Sequence, residues 1–311
     1  MNTLKLLIAV LGASFVLGCS QTGPAPQQEP MNGLAANTGN AVAARLQTLY
    51  DDKRINCGTP SAPAFLCSGV TLRVTRQDNS YHVWDPSPTS VKTGGIHFSY
   101  LRADANFKEM AWTDPKENSN GYVLYPILEK PAEKLHIEYL CAFPIDGWAW
   151  YRASPGCGPS TDYPTQSRRC QSIGITTAEQ WIKHWQTAGI AKPSLHQCSF
   201  DIRDAMNNLG ADSFYQSIRA KQQLGQRGFS EQNDLILAAW GAGQPNKLPI
   251  MAFFYIAGSP AVGLADARWN QRDLYNWTSP RITVPIIRIT LATTVTGRTT
   301  FQYVDADQYH R

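Results

Sequence analysis

GVTLRVT (69–75), GIHFSYL (95–101), GYVLYPIL (121–128) and KLHIEYLCAF (134–143) are the stretches on which the fold turns. Each is short and rich in β-branched and aromatic residues. Each is bounded by clusters of Gly, Pro and Asn, so all four read as β-strands. From 171 onward the punctuation becomes helical. Thr176 with Glu179 reads as a capping box before EQWIKHWQTA, and Ser199 or Asp201 as the start of DIRDAMNNL before Gly210. Asp212 reads as the cap of SFYQSIRAKQQL before Gly225, and Ser230 as the cap of EQNDLILAAW before Gly241. The last part is mixed. LPIMAFFYIAG (248–258), ITVPIIRITLA (282–292) and TTFQYVDA (299–306) predict strands, with ADARWNQRDLYNW (265–277) a helix between the first two.

The fold class that follows is α+β: a β-rich part over 41–170, opened by a short helix at 41–50, and a part over 171–311 with a helical middle and a mixed end. The boundary near 171 separates either two layers of one domain or two domains. At 311 residues the chain is long enough for either. With 43% hydrophobic and only 17% charged residues, a packed fold is expected rather than a disordered chain. The net charge of +4, with no basic run longer than Arg168-Arg169, gives nucleic acid little to bind.

The start of the chain predicts export. Lys5 precedes LLIAVLGASFVLG, an apolar run ending in small residues before Cys19, which is the pattern of a signal peptide over 1–18. VLGC (16–19) resembles a bacterial lipobox, implying cleavage before Cys19 and a lipid anchor on its thiol. Residues 19–40, rich in Pro, Gln, Gly and Asn, read as a flexible tether. The expected location is a bacterial membrane, facing periplasm or exterior, or the medium. Outside the cytosol, Cys57, Cys67, Cys141, Cys157, Cys170 and Cys198 read as three disulfides. Fifteen pairings are open, and nearest-neighbour pairing is preferred because it closes short loops. Without a CxxC or HExxH, no metal site is expected.

Seven stretches carry a resemblance: PAFLCSGVTLRVT (63–75), WDPSPTSV (84–91), GGIHFSYLRADANF (94–107), CAFPIDG (141–147), CSFDIRDAMN (198–207), LPIMAFFYIAGS (248–259) and VPIIRITL (284–291). Together they resemble the halovibrin family of secreted bacterial proteins over nearly the whole mature chain. The resemblance implies an extracellular enzyme that cleaves the nicotinamide–ribose bond of NAD, by glycohydrolysis or by ADP-ribosyl transfer to a protein acceptor. NAD is then the substrate, with no separate cofactor.

That chemistry sets requirements. The bond breaks through an oxocarbenium-like state, so a carboxylate is needed near the ribose, cationic or backbone donors at the pyrophosphate, and an aromatic at the nicotinamide. ADP-ribosylating toxins use an Arg on an early strand, a Ser on the next, and a late Glu-x-Glu or Gln-x-Glu. Arg73 in VTLRVT is similar to the first and Ser99 in IHFSYL to the second. The third departs from the pattern: the nearest substitutes are Gln271-x-Asp273 and Gln232-x-Asp234. Glu138, on a strand of the first half, competes with Asp273 for the catalytic place, because Asp is one methylene shorter than the Glu of the pattern and a displacement of about 1 Å can cost ~10²-fold in rate. It shares a strand face with His136, either solvent or a cleft floor. Arg73, Ser99, Tyr100 and Gln271 are the substrate-binding candidates. Trp84, Trp148 and Trp150 are further stacking candidates whose default is the core. Arg102 and Asp104 are expected to pair with each other. Two other readings stay open: a non-catalytic surface lipoprotein acting as adhesin or glycan-binding module, and a glycan hydrolase with paired carboxylates.

Overall fold

A sheet covered on both faces buries most positions of its strands, and VTLRVT, IHFSYL and IMAFFYI are buried in this way. The computed structural model describes residues 36–59, 62–75, 82–85, 87–108, 110, 119–126, 138–145, 157, 168–188, 198–203, 209–229, 232–238, 249–258 and 262–304. The expected signal peptide, Cys19 and most of the expected tether lie outside them, as do His136, Trp148 and Trp150.

Ten strands form one mixed sheet: β1 (Val70–Thr75), β2 (Ile96–Leu101), β3 (Asn120–Leu124), β4 (Glu138–Phe143), β5 (Arg168–Arg169), β6 (Cys198–Asp201), β7 (Asp234–Ala238), β8 (Ile250–Ile256), β9 (Ile286–Thr290) and β10 (Thr300–Tyr303). Their order is β10-β9-β8-β3-β1-β2-β7-β4-β6-β5. Neighbours are antiparallel except β8 with β9 and β5 with β6. A parallel pair needs a crossover, and α6 (Val262–Trp277) supplies it between β8 and β9.

Alternation along the strands divides the core in two. Val70 and Leu72 of β1, Leu101 of β2, Val123 of β3, Phe254 of β8 and Ile287 of β9 pack with Leu46, Leu49 and Tyr50 of α1 (Ala36–Asp51). Phe98 and Tyr100 of β2, Tyr122 of β3, Phe253 of β8 and Ile286 of β9 pack on the other side. There they meet Trp181 and Trp185 of α3 (Ala178–Ala188), Phe214 and Tyr215 of α4 (Leu209–Gln223), and Ala267 and Leu274 of α6. The sheet is the middle of three layers. Leu34–Arg311 is one compact unit and holds every strand and helix named here.

Two glycines make this packing possible. A Cβ on Gly121 would lie 1.8 Å from the carbonyl oxygen of Arg73, so only Gly admits the close approach of β3 to β1 there. Gly69 enters β1 at φ +71°, and its missing side chain is replaced by the ring of Tyr100.

The disulfides are Cys57–Cys67, Cys141–Cys157 and Cys170–Cys198, the nearest-neighbour set.

Several sequence expectations are corrected. EQNDLILAAW is not a helix: Asp234–Ala238 is β7, with Leu235, Ile236 and Leu237 at 1% exposure or less. A short continuous apolar run suits a strand buried on both sides as well as a helix. Asn233 extends that strand's pairing, because its side-chain amide both donates to the carbonyl of Tyr100 and accepts its N–H, at 2.7 and 2.8 Å. The start of CSFDIRDAMN is likewise strand β6, while 204–208 lie outside the described residues. The helical middle is therefore interrupted by β6 and β7, both joined to the sheet of the first half. The capping box at α3 sits one residue later than expected, with Thr177 and Gln180 exchanging bonds of 3.2 and 3.1 Å. Helix α1 begins at Ala36, ahead of the start expected at 41, and α4 at Leu209, ahead of its expected cap Asp212.

Candidate functional site

On a helix, residues spaced four, three and four apart form one row. Asp266, Asn270, Asp273 and Trp277 of α6 are such a row, on the side of the sheet that also carries Arg73. The segment His82–Asp85 lies against it. Trp84 is buried at 1% exposure, and its indole Nε1 donates to Asp273 Oδ2 at 2.9 Å. Nδ1 of His82 lies 2.6 Å from the same oxygen. The imidazole stacks on Trp84, with ring centres 4.5 Å apart and planes 7° from parallel. Trp277 tilts against its edge at 4.7 Å and is itself 65% exposed. The Asp273 side chain keeps 18% exposure and that of His82 28%. A carboxylate is thus fixed by two donors from one oxygen side, at the foot of an exposed aromatic surface.

Further along the same row lies a polar cluster. Asn120 accepts from Thr75 Oγ1 at 3.2 Å and from Asn270 Nδ2 at 3.0 Å, and donates to Asp266 at 3.3 Å. Burial pushes the Asp266 carboxyl above the usual Asp range. Asp85 is pushed the same way by burial, with the nearby His82 opposing it. A carboxyl that binds its proton more tightly in the folded chain adds stability at low pH. That contribution is lost as pH rises from the ordinary Asp value toward the raised folded one. Thermal melts from about pH 4 to neutral are therefore expected to show a fall in Tm that is smaller in Asp266→Asn. Asp85 contributes in the same sense and remains in that variant. An identical pH slope in the two proteins would refute this.

The structure separates the residues singled out from sequence. Arg73 pairs with Tyr122 across β1 and β3, so it faces α6; its Nε is buried without a hydrogen-bond partner among the described residues. Ser99 pairs with Leu72, so it faces the opposite side, that of α1. Arg73 and Ser99 therefore do not share a cleft. Tyr100 is fully buried, edge-on to Phe65 and Tyr215 at 6.1 and 6.5 Å, and burial raises its phenol pKa. It is a core residue, with no ring face left for a ligand.

Gln271 is also buried and donates to the carbonyl of Val284 at 2.6 Å. On a strand Gln-x-Asp would place both side chains on one face, but on α6 two positions apart is about 200° around the axis. Gln271 thus turns away from Asp273. Glu138 pairs by its backbone with Ala238, and its side chain lies outside the described residues. Asp234, the other Gln-x-Asp carboxylate, meets His97 Nδ1 at 2.7 Å on the Ser99 side of the sheet. Arg102 and Asp104 form the expected pair, bidentate at 2.6 and 2.7 Å, and Arg102 has no exposure.

His82 is the residue that sequence reasoning missed. It stands 191 positions from Asp273, and nothing local distinguishes it from a surface histidine. Among the described residues no group of three or more His, Cys, Asp or Glu is placed to hold a metal ion. Compared with protein-family models and with curated proteins, the chain matches none.

Proposed function

We propose that the chain is an exported enzyme that cleaves the nicotinamide–ribose bond of NAD. The observation that carries this reading is the Asp273 carboxylate, held by His82 and Trp84 beside the exposed Trp277. In the proposed reaction the C1′–N bond breaks heterolytically, its electron pair leaving with neutral nicotinamide. The positive charge that develops on the ribose faces Asp273, whose orientation is set before the reaction begins. Trp277 packs the pyridinium ring, which is cationic before cleavage and so favoured on an indole face. Arg73, on the same side of the sheet, is the cation for the pyrophosphate. Water adds at C1′ and gives up a proton to solvent in glycohydrolysis; in ADP-ribosyl transfer a protein acceptor takes its place.

Within this reading the ADP-ribosyltransferase-like pattern keeps its Arg and its late carboxylate and loses its Ser, because Ser99 faces the other side of the sheet. Signal peptide, lipidated Cys19 and tether complete the proposal by placing the enzyme on a membrane outside the cytosol. The second reading, a non-catalytic surface lipoprotein that binds glycans or a cell surface, is favoured by one observation, the opposite facing of Arg73 and Ser99. Incubation of the purified protein with NAD decides between them. Release of nicotinamide is the expected result; none at high enzyme concentration would leave the binding protein.

A further inference from the structure

Val262, Ala265, Trp269, Arg272 and Asn276 recur at spacings of three and four along α6, and every one of them is exposed. Among the described residues seven large hydrophobic side chains are exposed, and three belong to this helix: Val262 at 46%, Trp269 at 55% and Trp277 at 65%. Isolated exposed apolar residues are ordinary, but their concentration on one element is the mark of an interaction surface.

The charge of that surface has one sign. Arg272 and Arg281 are exposed. Arg281 lies over the ring of Tyr275 at 4.9 Å and donates to its hydroxyl at 3.1 Å, which holds the guanidinium beside the helix end. The two carboxylates on the flank are half-buried and engaged: Asp266 accepts from Asn120, and Asp273 from Trp84 with His82 beside it.

We propose that the outer face of α6 docks on an anionic phospholipid bilayer. Indoles are favoured at the headgroup level, where the ring is buried and its N–H stays wet. Arginines beside them attract the negative leaflet. A convex helix encloses no small ligand, whereas a plane meets Val262, Trp269 and Arg272 of this row at once. The docking helix is also the one that carries Asp273, but the proposal does not depend on the NAD reading.

The test uses the compact unit Leu34–Arg311, which contains every strand and helix of the described residues and lacks the expected signal and anchor. Co-sedimentation compares vesicles rich in anionic phospholipid with vesicles of zwitterionic lipid alone. Preferential binding to the anionic vesicles, weakened by salt, is the expected result. Arg272→Gln should lower the partition about fivefold, and Trp269→Ser with Arg272→Gln about tenfold or more. Indole emission should be quenched by brominated acyl chains in the wild type, and less so in Trp269→Ser. Both positions are exposed, so an unchanged melting temperature will show that the variants fold. An unaltered partition in the double variant overturns the proposal. So does failure to bind anionic vesicles, or binding that occurs only to a soluble anionic polysaccharide.

Discussion

Asp273→Asn is expected to lower NAD turnover by about 10²-fold or more, equivalent to roughly 3 kcal/mol of barrier, with the melting temperature nearly unchanged. The amide has the size of the carboxylate, and its oxygen can still accept from Trp84 Nε1 and His82 Nδ1, so the local packing survives. What disappears is the negative charge opposite the developing oxocarbenium ion, and loss of an interaction confined to the transition state lowers kcat. Arg73→Ala should chiefly raise KM, since a pyrophosphate contact is made alike in ground and transition states. Glu138→Gln is the control. Full activity in Asp273→Asn alongside loss in Glu138→Gln would move the site to β4. Retention of activity in both would leave the NAD reading standing and the assignment of its carboxylate refuted.

Replacing both Cys170 and Cys198 by Ala is expected to cost about 3–4 kcal/mol, from the loop entropy that the crosslink removes from the unfolded chain. Their sequence separation is 28, the longest of the three disulfides. At this chain size the loss corresponds to a fall of roughly 5–10 °C in Tm. The bond ties the turn that follows β5 to β6, and both sulfurs are within the core, at 0 and 1% exposure. Cys57 with Cys67 closes a separation of 10, for which the same relation gives about 3 kcal/mol. Calorimetry of the two double variants checks both size and order. A change below about 1 kcal/mol for Cys170 and Cys198 would show that the unfolded chain is not freed by their removal.

Much of the fold was open to reading along the chain. The alternation in GVTLRVT and GIHFSYL marks strands wherever they are placed, and ADARWNQRDLYNW has the helical period that α6 shows. The even set of six cysteines after Cys19 points to three crosslinks, and short loop closure only favours the pairing that the structure shows. LILA in β7 was not legible, because four apolar residues in a row satisfy a buried helix and a buried strand equally. Its place between β2 and β4 settles the matter. The same holds for the candidate site. Asp273 was a candidate from its position before the last strands, yet the groups that give it a role, His82 and Trp84, come from a segment 189 to 191 residues away.

What the sequence alone determined is the kind of element at most positions, the number of crosslinks and a short roster of charged residues, because these follow from periods of two and 3.6 and from an even cysteine count. Which of those residues meet was decided only by the tertiary structure. Arg73 and Ser99 each occupy a strand as expected, but β2 pairs so that Ser99 stands opposite Leu72 and not Arg73. One residue of register moves a side chain through the sheet. That register is set by the packing of both cores at once, a sum of long-range contacts that no local stretch of the chain contains.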